Sequence, residues 1–248
     1  MKKLKPETVF ILAAGLGTRL EGLTKSNPKA LVEIQGKTLL EINLKKLKKL
    51  GFRKAIINLH HYPDQIKAYL SENANFSMEV IFSDETDHLL DTGGALLKAL
   101  PIIANEDAVL VHNVDILTDC SIPELYSTMN SNNADAVMMV RARNSSRKLL
   151  FDNDLKLCGW LNSKKEEVKY VDGSSACKNA FAFSGIHLLR PEMIQGIRLQ
   201  KMSLIDLYLK LASSNRIVGN IQDEGYWFDY GKIEQTPEIN HFFSTTDL

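Results

Sequence analysis

Two cations stand in neighbourhoods that give them chemistry. Arg19 closes the run Gly15-Leu16-Gly17-Thr18-Arg19, and Lys29 follows Pro28. The small residues of that run leave backbone N–H groups able to close on an anion. Arg19 adds a fixed fork of donors for phosphate oxygens, and Lys29 adds a movable point charge. Together they describe a polyphosphate cradle. A dinucleotide fingerprint, G-x-G-x-x-G, fails here because its third glycine position is Leu20. A P-loop fails too: Gly36-Lys37-Thr38 supplies its end, but its first glycine position holds Leu31. An ordinary glycine-rich turn after a strand needs neither Arg19 nor the Pro28-Lys29 pair.

Two carboxylates form the second constellation. Asp115 follows the apolar strand Ala108 to Val111, and Asp229 lies within Trp227-Phe228-Asp229-Tyr230-Gly231. Each taken alone also fits a turn or cap role. As a pair they suit Mg²⁺, which takes one or two carboxylates and completes its octahedron with phosphates and waters. Thr92-Gly93-Gly94, after Asp91, reads as a helix start with a threonine cap, and such a start also offers amides to an acceptor. His60 and His61 are adjacent on an extended chain and point to opposite faces. His187 reads as a satisfied core histidine. Ser184 has no nucleophile elbow around it.

The elements that carry these residues alternate. Val9 to Ala14 is a short, partly β-branched buried strand. Leu39 to Leu50 has helical periodicity and ends at Gly51. Ala55 to Leu59 is a strand, Asp64 to Leu70 a helix, Met78 to Phe82 a strand, Gly94 to Leu100 a helix closed by Pro101, and Ala108 to His112 a strand. This alternation to about residue 130 predicts a right-handed, mostly parallel α/β sheet that binds ligands beyond its carboxyl strand ends. From Ala136 onward short strands separated by turns predict a smaller, partly antiparallel lobe, with a helix at Ser203 to Ala212.

Composition excludes several classes. The 248 residues carry 30 basic and 30 acidic side chains, so no bulk charge favours nucleic acid or an anionic membrane. Lys45, Lys46, Lys48 and Lys49 read as the solvated face of the helix striped by Leu44, Leu47 and Leu50. Cys120, Cys158 and Cys177 are odd in number and widely spaced, which predicts a reducing cytosol rather than a disulfide framework. Lys2 and Lys3 before Val9 to Leu16 mimic an export signal, but Glu7 interrupts it. No stretch reaches the ~20 apolar residues of a membrane span.

The run Leu12-Ala13-Ala14-Gly15-Leu16-Gly17-Thr18-Arg19-Leu20, then Pro28-Lys29, resembles the signature of the sugar-1-phosphate nucleotidyltransferases, L-A-x-G-x-G-T-R-L followed by P-K. The resemblance extends to about Gly231 through four motifs in the family's order. It implies a Rossmann-like three-layer α/β/α fold with a mixed, mainly parallel sheet and a small, partly antiparallel sugar-binding lobe. It also implies one domain over residues 1–248, with the nucleotide part ending near 135 and the sugar part following from 136. The implied reaction joins an NTP to a sugar 1-phosphate, giving an NDP-sugar and pyrophosphate. Leu12, Ala13, Ala14, Gly15, Gly17, Thr18, Arg19, Lys29, Thr92 and Gly93 fall on the family's nucleotide positions. Asn113, Ser184 and Gly185 fall on its sugar positions, and Asp115 and Asp229 on its magnesium ligands. Arg19 would hold the leaving pyrophosphate, and Lys29 would neutralise the α-phosphate.

Two departures accompany the match. Val114 stands where the family usually has glycine, and Gly159 to Lys165 lacks the family's Glu-Lys pair. The chain's end at Leu248 leaves no room for a C-terminal β-helix. Asp91-Thr92-Gly93-Gly94 draws the expectation towards UTP with an N-acetylmuramate-1-phosphate-like sugar, with mannose-1-phosphate guanylyl transfer as the alternative. A metal-dependent glycosyltransferase would show D-x-D, but Leu117 stands two residues after Asp115. A non-catalytic NDP-sugar sensor is the remaining reading, and Val114 favours it.

Overall fold

The computed structural model describes residues 7–15, 27–174, 177–231 and 236–245. In chain order its elements are β1 (Thr8–Leu12), β2 (Glu33–Ile34), β3 (Lys37–Thr38), α1 (Leu39–Lys49), β4 (Lys54–Leu59), α2 (Pro63–Glu72) and β5 (Glu79–Asp84). Then follow α3 (Asp91–Ile103), β6 (Val109–Asn113), β7 (Ile116–Thr118), α4 (Ile122–Asn132), β8 (Ala136–Arg141), β9 (Arg147–Phe151), β10 (Leu157–Asn162) and β11 (Glu167–Tyr170). The last are β12 (Asn179–Leu189), α5 (Leu204–Leu211), β13 (Ile217–Ile221), β14 (Trp227–Asp229) and α6 (Thr236–Ser244). The class is α/β with a mixed sheet, as expected. Among the described residues no helix is long and apolar enough to cross a membrane.

Two compact units interleave along the chain. Of the described residues, one holds 7–15, 27–89, 112–119, 226–231 and 236–245; the other holds 90–111, 120–174 and 177–225. In the first unit β1, β4 and β5 run parallel, with Thr8 opposite Lys54 and Lys54 opposite Glu79. The β1 side chains Val9, Phe10 and Ile11 have no exposed surface, which is why both faces of this strand read as apolar. β1 ends two residues before the apolar run does, since Ala13 and Ala14 leave the ladder. α1 starts on Thr38, whose hydroxyl accepts from the Glu41 amide at 3.0 Å. Its lysines are not one solvated face. Lys45 pairs with Glu41 at 2.6 Å, whereas Lys46 is drawn in to donate to the Thr118 carbonyl.

The second unit carries the antiparallel strands. β9, β10 and β11 form a meander, β12 joins β9 on one side and β8 on the other, and β13 runs parallel to β8. β12 is interrupted between Phe183 and His187, where its register against β8 shifts and Gly185 takes φ +78°. That bulge carries Ser184 and Gly185.

Three expectations are corrected in this unit. The helix expected at Gly94 begins at Asp91 and runs through Pro101 to Ile103. The bond lost at proline falls in its last turn, where the helix is already ending. The all-reduced reading of the cysteines gives way to a Cys158–Cys177 disulfide, the two Cα atoms 5.9 Å apart. The β9–β10–β12 pairing brings together residues 19 apart in sequence. Cys120 stays free and buried. Finally, His187 is a core residue but not a satisfied one: neither ring nitrogen has a hydrogen-bond partner among the described residues.

That burial has a consequence for acid stability. Burial pushes the pKa of His187 down to about 3, and burial likewise takes His112 down to about 4. An unfolded histidine titrates near 6.5. Between those values the unfolded chain binds protons that the folded chain refuses. The stabilisation is therefore complete above pH ~6.5 and is lost as pH falls. Two such histidines cost roughly 3 kcal/mol between pH 6.5 and pH 5. Urea unfolding at pH 7 and pH 5 measures the loss, and His187→Phe should flatten the dependence.

Candidate active site

In the first unit Lys29 meets Asp115 through its side chain, and backbone bonds bring the strand of Asp229 alongside Asp115. Asp115 sits between β6 and β7 and is held at every turn. Its predecessor Val114 donates its N–H to the Leu12 carbonyl at 3.1 Å. The Val114 carbonyl accepts from Asn43 Nδ2 of α1 at 2.8 Å. The Asp115 carbonyl accepts from the Tyr230 N–H at 2.9 Å. Its carboxylate oxygen Oδ2 accepts from Lys29 Nζ. Val114, where glycine was expected, is 3 % exposed. Its side chain is packed inside the protein and does not crowd the open face.

Lys29 owes its placement to the turn after Pro28. Pro28 sits at φ −65° and ψ 146°, and one 3₁₀ turn over Lys29–Leu31 follows. The Leu31 N–H closes on the Pro28 carbonyl at 2.9 Å. Lys29 is only 6 % exposed, so its ammonium lies in partly desolvated surroundings beside a carboxylate.

Asp229 arrives by strand pairing. β14 runs antiparallel to β7 with Asp229 opposite Ile116, the residue after Asp115. Thr118 Oγ1 donates to the Tyr226 carbonyl at 2.7 Å and fixes the other end of the ribbon. Side chains alternate along β14, so Phe228 and Asp229 take opposite faces. Phe228 packs on Phe242 of α6, ring centroids 5.1 Å apart, which leaves Asp229 on the face away from that aromatic cluster. Hard carboxylate oxygens on adjoining backbone positions suit a divalent cation such as Mg²⁺, with phosphate and water filling its other positions. The described residues hold no cluster of three or more His, Cys, Asp and Glu that would cage a metal alone.

The loop ahead of this site is anchored at its start. Ala13 and Ala14 donate their N–H groups to Asn58 Oδ1 at 2.6 and 3.1 Å. Asn58 Nδ2 in turn donates to Glu85 Oε1 at 2.8 Å. Gly15 is exposed, with open space where a Cβ would stand. Gly17, Thr18 and Arg19 lie outside the described residues. Asn113 is half-buried, and its carbonyl accepts from His112 Nδ1 at 2.8 Å. His112 is therefore neutral at pH 7 with its proton on Nδ1. Asn43 and Asn58 escaped sequence reading, and the only signal was a polar residue inside an apolar strand or stripe.

Thr92, Gly93, Ser184 and Gly185 belong to the other unit. There Thr92 is not a cap for its own helix. Its Oγ1 accepts from the Leu204 N–H at 3.0 Å, at the start of α5. Gly93 and Gly94 donate to the Met202 carbonyl at 3.0 and 3.1 Å. A Cβ on Gly93 would stand 2.6 Å from the Ser203 carbonyl oxygen, and one on Gly94 2.6 Å from that of Gln200. Backbone packing alone accounts for both glycines. Gly93→Ala is expected to cost ~1–3 kcal/mol through overpacking. Thermal unfolding without nucleotide checks it, and an unchanged midpoint would contradict the packing account.

Comparison with known proteins adds a lineage. A family model described as nucleotidyl transferase matches residues 8–149. The N-acetylmuramate alpha-1-phosphate uridylyltransferase of Caulobacter vibrioides is 28 % identical over 91 % of this chain and 92 % of its own length. The mannose-1-phosphate guanylyltransferase catalytic subunit beta of Drosophila pseudoobscura is 26 % identical over 90 % of this chain and 58 % of its own. Among solved structures, HddC from Yersinia pseudotuberculosis superposes with a TM-score of 0.77 at 23 % identity. That match covers 96 % of this chain and 99 % of HddC.

Proposed function

For a chain that belongs to the nucleotidyl transferase family, we propose the transfer of a nucleoside monophosphate from an NTP to a sugar 1-phosphate, giving an NDP-sugar and pyrophosphate. The observation that carries this reading is the pairing of Lys29 with Asp115, with Asp229 brought alongside by the β7–β14 register. A buried cation paired with one carboxylate, with a second acid on the neighbouring strand, is an arrangement for phosphate rather than for a neutral substrate.

A sugar phosphate oxygen attacks the α-phosphorus and pyrophosphate leaves on the opposite side. Such a reaction asks for positioning and charge neutralisation and for little covalent chemistry from the protein. Lys29 neutralises the α-phosphate as negative charge accumulates there. Arg19 holds the departing pyrophosphate with its fork of donors. Thr18 and the amides from Gly15 to Gly17 cradle the triphosphate, and Asn113 receives the sugar. Asp115 and Asp229 hold Mg²⁺. When bound, the ion supplies Lewis-acid stabilisation of phosphoryl oxygens.

For the substrates we propose UTP and an N-acetylmuramate-1-phosphate-like sugar. The Caulobacter relative supports this, being matched over 92 % of its length where the guanylyltransferase is matched over 58 %. We propose a cytoplasmic location, because that is where nucleoside triphosphates are supplied. The test crosses UTP, GTP, CTP and dTTP with N-acetylmuramate, N-acetylglucosamine, glucose and mannose 1-phosphates and follows pyrophosphate release. The UTP and N-acetylmuramate 1-phosphate pair should turn over fastest. Preference for GTP with mannose 1-phosphate would replace that substrate pair, and silence with nucleotide bound would favour a sensor.

A further inference from the structure

The first unit holds a buried polar relay with no part in the carboxylate pair. Its centre is Asn58, 3 % exposed, in β4. β1 and β4 pair in parallel from Thr8 opposite Lys54 to Ile11 opposite Ile57. The next step would set Leu12 opposite Asn58; β1 ends at Leu12, while β4 continues beside β5 to Leu59. Two amides are stranded by that departure, those of Ala13 and Ala14, which are 3 % and 4 % exposed. Buried amides need partners. Asn58 Oδ1 accepts from both, at 2.6 and 3.1 Å, doing for the loop what a strand carbonyl does for the ladder.

The orientation of the Asn58 amide is also fixed. Its Nδ2 donates to Glu85 Oε1 at 2.8 Å, and Glu85 has no exposed surface. A carboxylate on one side and two N–H groups on the other admit a single assignment of oxygen and nitrogen. Glu85 is tied down in turn: its N–H donates to the Leu59 carbonyl at 2.7 Å, and its carbonyl accepts from His60 Nδ1 at 2.7 Å. The chain therefore divides sharply after Ala14. The Ala13 and Ala14 amides are spent inside the protein, and Gly15, the next residue, is exposed.

We propose that Asn58, oriented by Glu85, is a positioning residue for NTP binding: it fixes the course of Ala13 and Ala14 and so where Gly15 stands. The inference rests on the reading of the glycine loop as the NTP site. Asn58 itself touches no substrate. It acts through Ala13 and Ala14.

Asn58→Leu keeps the size of the side chain and removes both halves of the relay. It should raise the Kd of UTP with Mg²⁺, read by titration calorimetry, about tenfold to a hundredfold. The KM for the sugar 1-phosphate should stay within about threefold, because that substrate does not depend on this loop's exit. Asn58→Asp alone sets two buried carboxylates against each other and should be as impaired. Adding Glu85→Gln reverses the donor and acceptor between the two positions and should restore most of the affinity. That rescue separates a relay from bulk packing. If Asn58→Leu fails to fold, Asn58→Asp against the double variant decides alone.

Equal UTP affinity in Asn58→Leu and the natural protein would overturn the inference. So would a double variant that regains the thermal midpoint but not the affinity, which would make the pair merely structural. Failure of the natural protein to bind any of the four NTPs is a different outcome. It would defeat the NTP reading of the loop, and the inference with it.

Discussion

Asparagine in place of Asp115 or Asp229 should lower kcat/KM by about 10³-fold or more, since loss of a few kcal/mol of metal-borne stabilisation is about three decades in rate. The two sites are predicted to fail alike because the β7–β14 ribbon delivers them as a pair: Asp229 lies opposite Ile116, and the Tyr230 N–H closes on the Asp115 carbonyl. Steady-state pyrophosphate release across a Mg²⁺ series measures the effect. The Mg²⁺ needed for half-maximal rate should rise in both variants. Stability should separate them. Asp115→Asn removes the negative partner of the buried Lys29 ammonium and should lower the thermal midpoint as well. Either variant retaining activity within tenfold of the natural protein would remove that acid from the metal site.

Lys29 should be nearly as costly. Lys29→Met retains length and apolar packing at a position 6 % exposed, so the charge is what disappears. A loss of ~10²–10³-fold in kcat/KM is expected, by comparison with removal of one transition-state donor. The loss should fall mainly on kcat, because charge on the α-phosphate grows towards the transition state. Lys29→Arg should not restore it: the planar guanidinium is wider than the ammonium and presents a fixed fork where a compact charge fits. Arg19→Ala should show a loss of similar size. A Lys29→Met enzyme with unchanged kcat would show that the contact with Asp115 is only structural.

How much of this was legible in the sequence depends on the range of the signal. The strands and helices that carry the site have local causes. β-branched runs made β1, β4 and β6, and Thr38 with Glu41 three residues on started α1. The candidate chemistry was legible for the same reason, since the glycine loop and Pro28-Lys29 are contiguous motifs. What escaped is long-range. Asn58 meets Ala13 at a separation of 45 residues, and Asn43 meets Val114 at 71. No periodicity marks such a residue, because it breaks an apolar pattern only once. The disulfide escaped likewise, since Cys158 and Cys177 meet only after β9, β10 and β12 pair. Thr92 was legible as a residue near a helix start but not as a partner of Leu204, 112 residues on.

Val114 stands where the family usually has glycine, and sequence gives its type but not its direction. Its burial, with Asn43 holding its carbonyl, turns it into part of the support for Asp115. The glycines of the Thr92-Gly93-Gly94 segment teach a related lesson. A motif that resembles a ligand contact has a packing cause of its own where a backbone carbonyl lies 2.6 Å from the absent Cβ.

The central claim is transfer of a nucleotidyl group onto a sugar 1-phosphate, and an isotope decides it most directly. UTP labelled with ³²P at the α-position is incubated with N-acetylmuramate 1-phosphate and Mg²⁺, and the products are separated by chromatography. Label is expected in a UDP-sugar, with an equal amount of unlabelled pyrophosphate. Label recovered as UMP, or left in UTP that is bound but never consumed, with every sugar 1-phosphate tried and with labelled GTP as well, would contradict that claim.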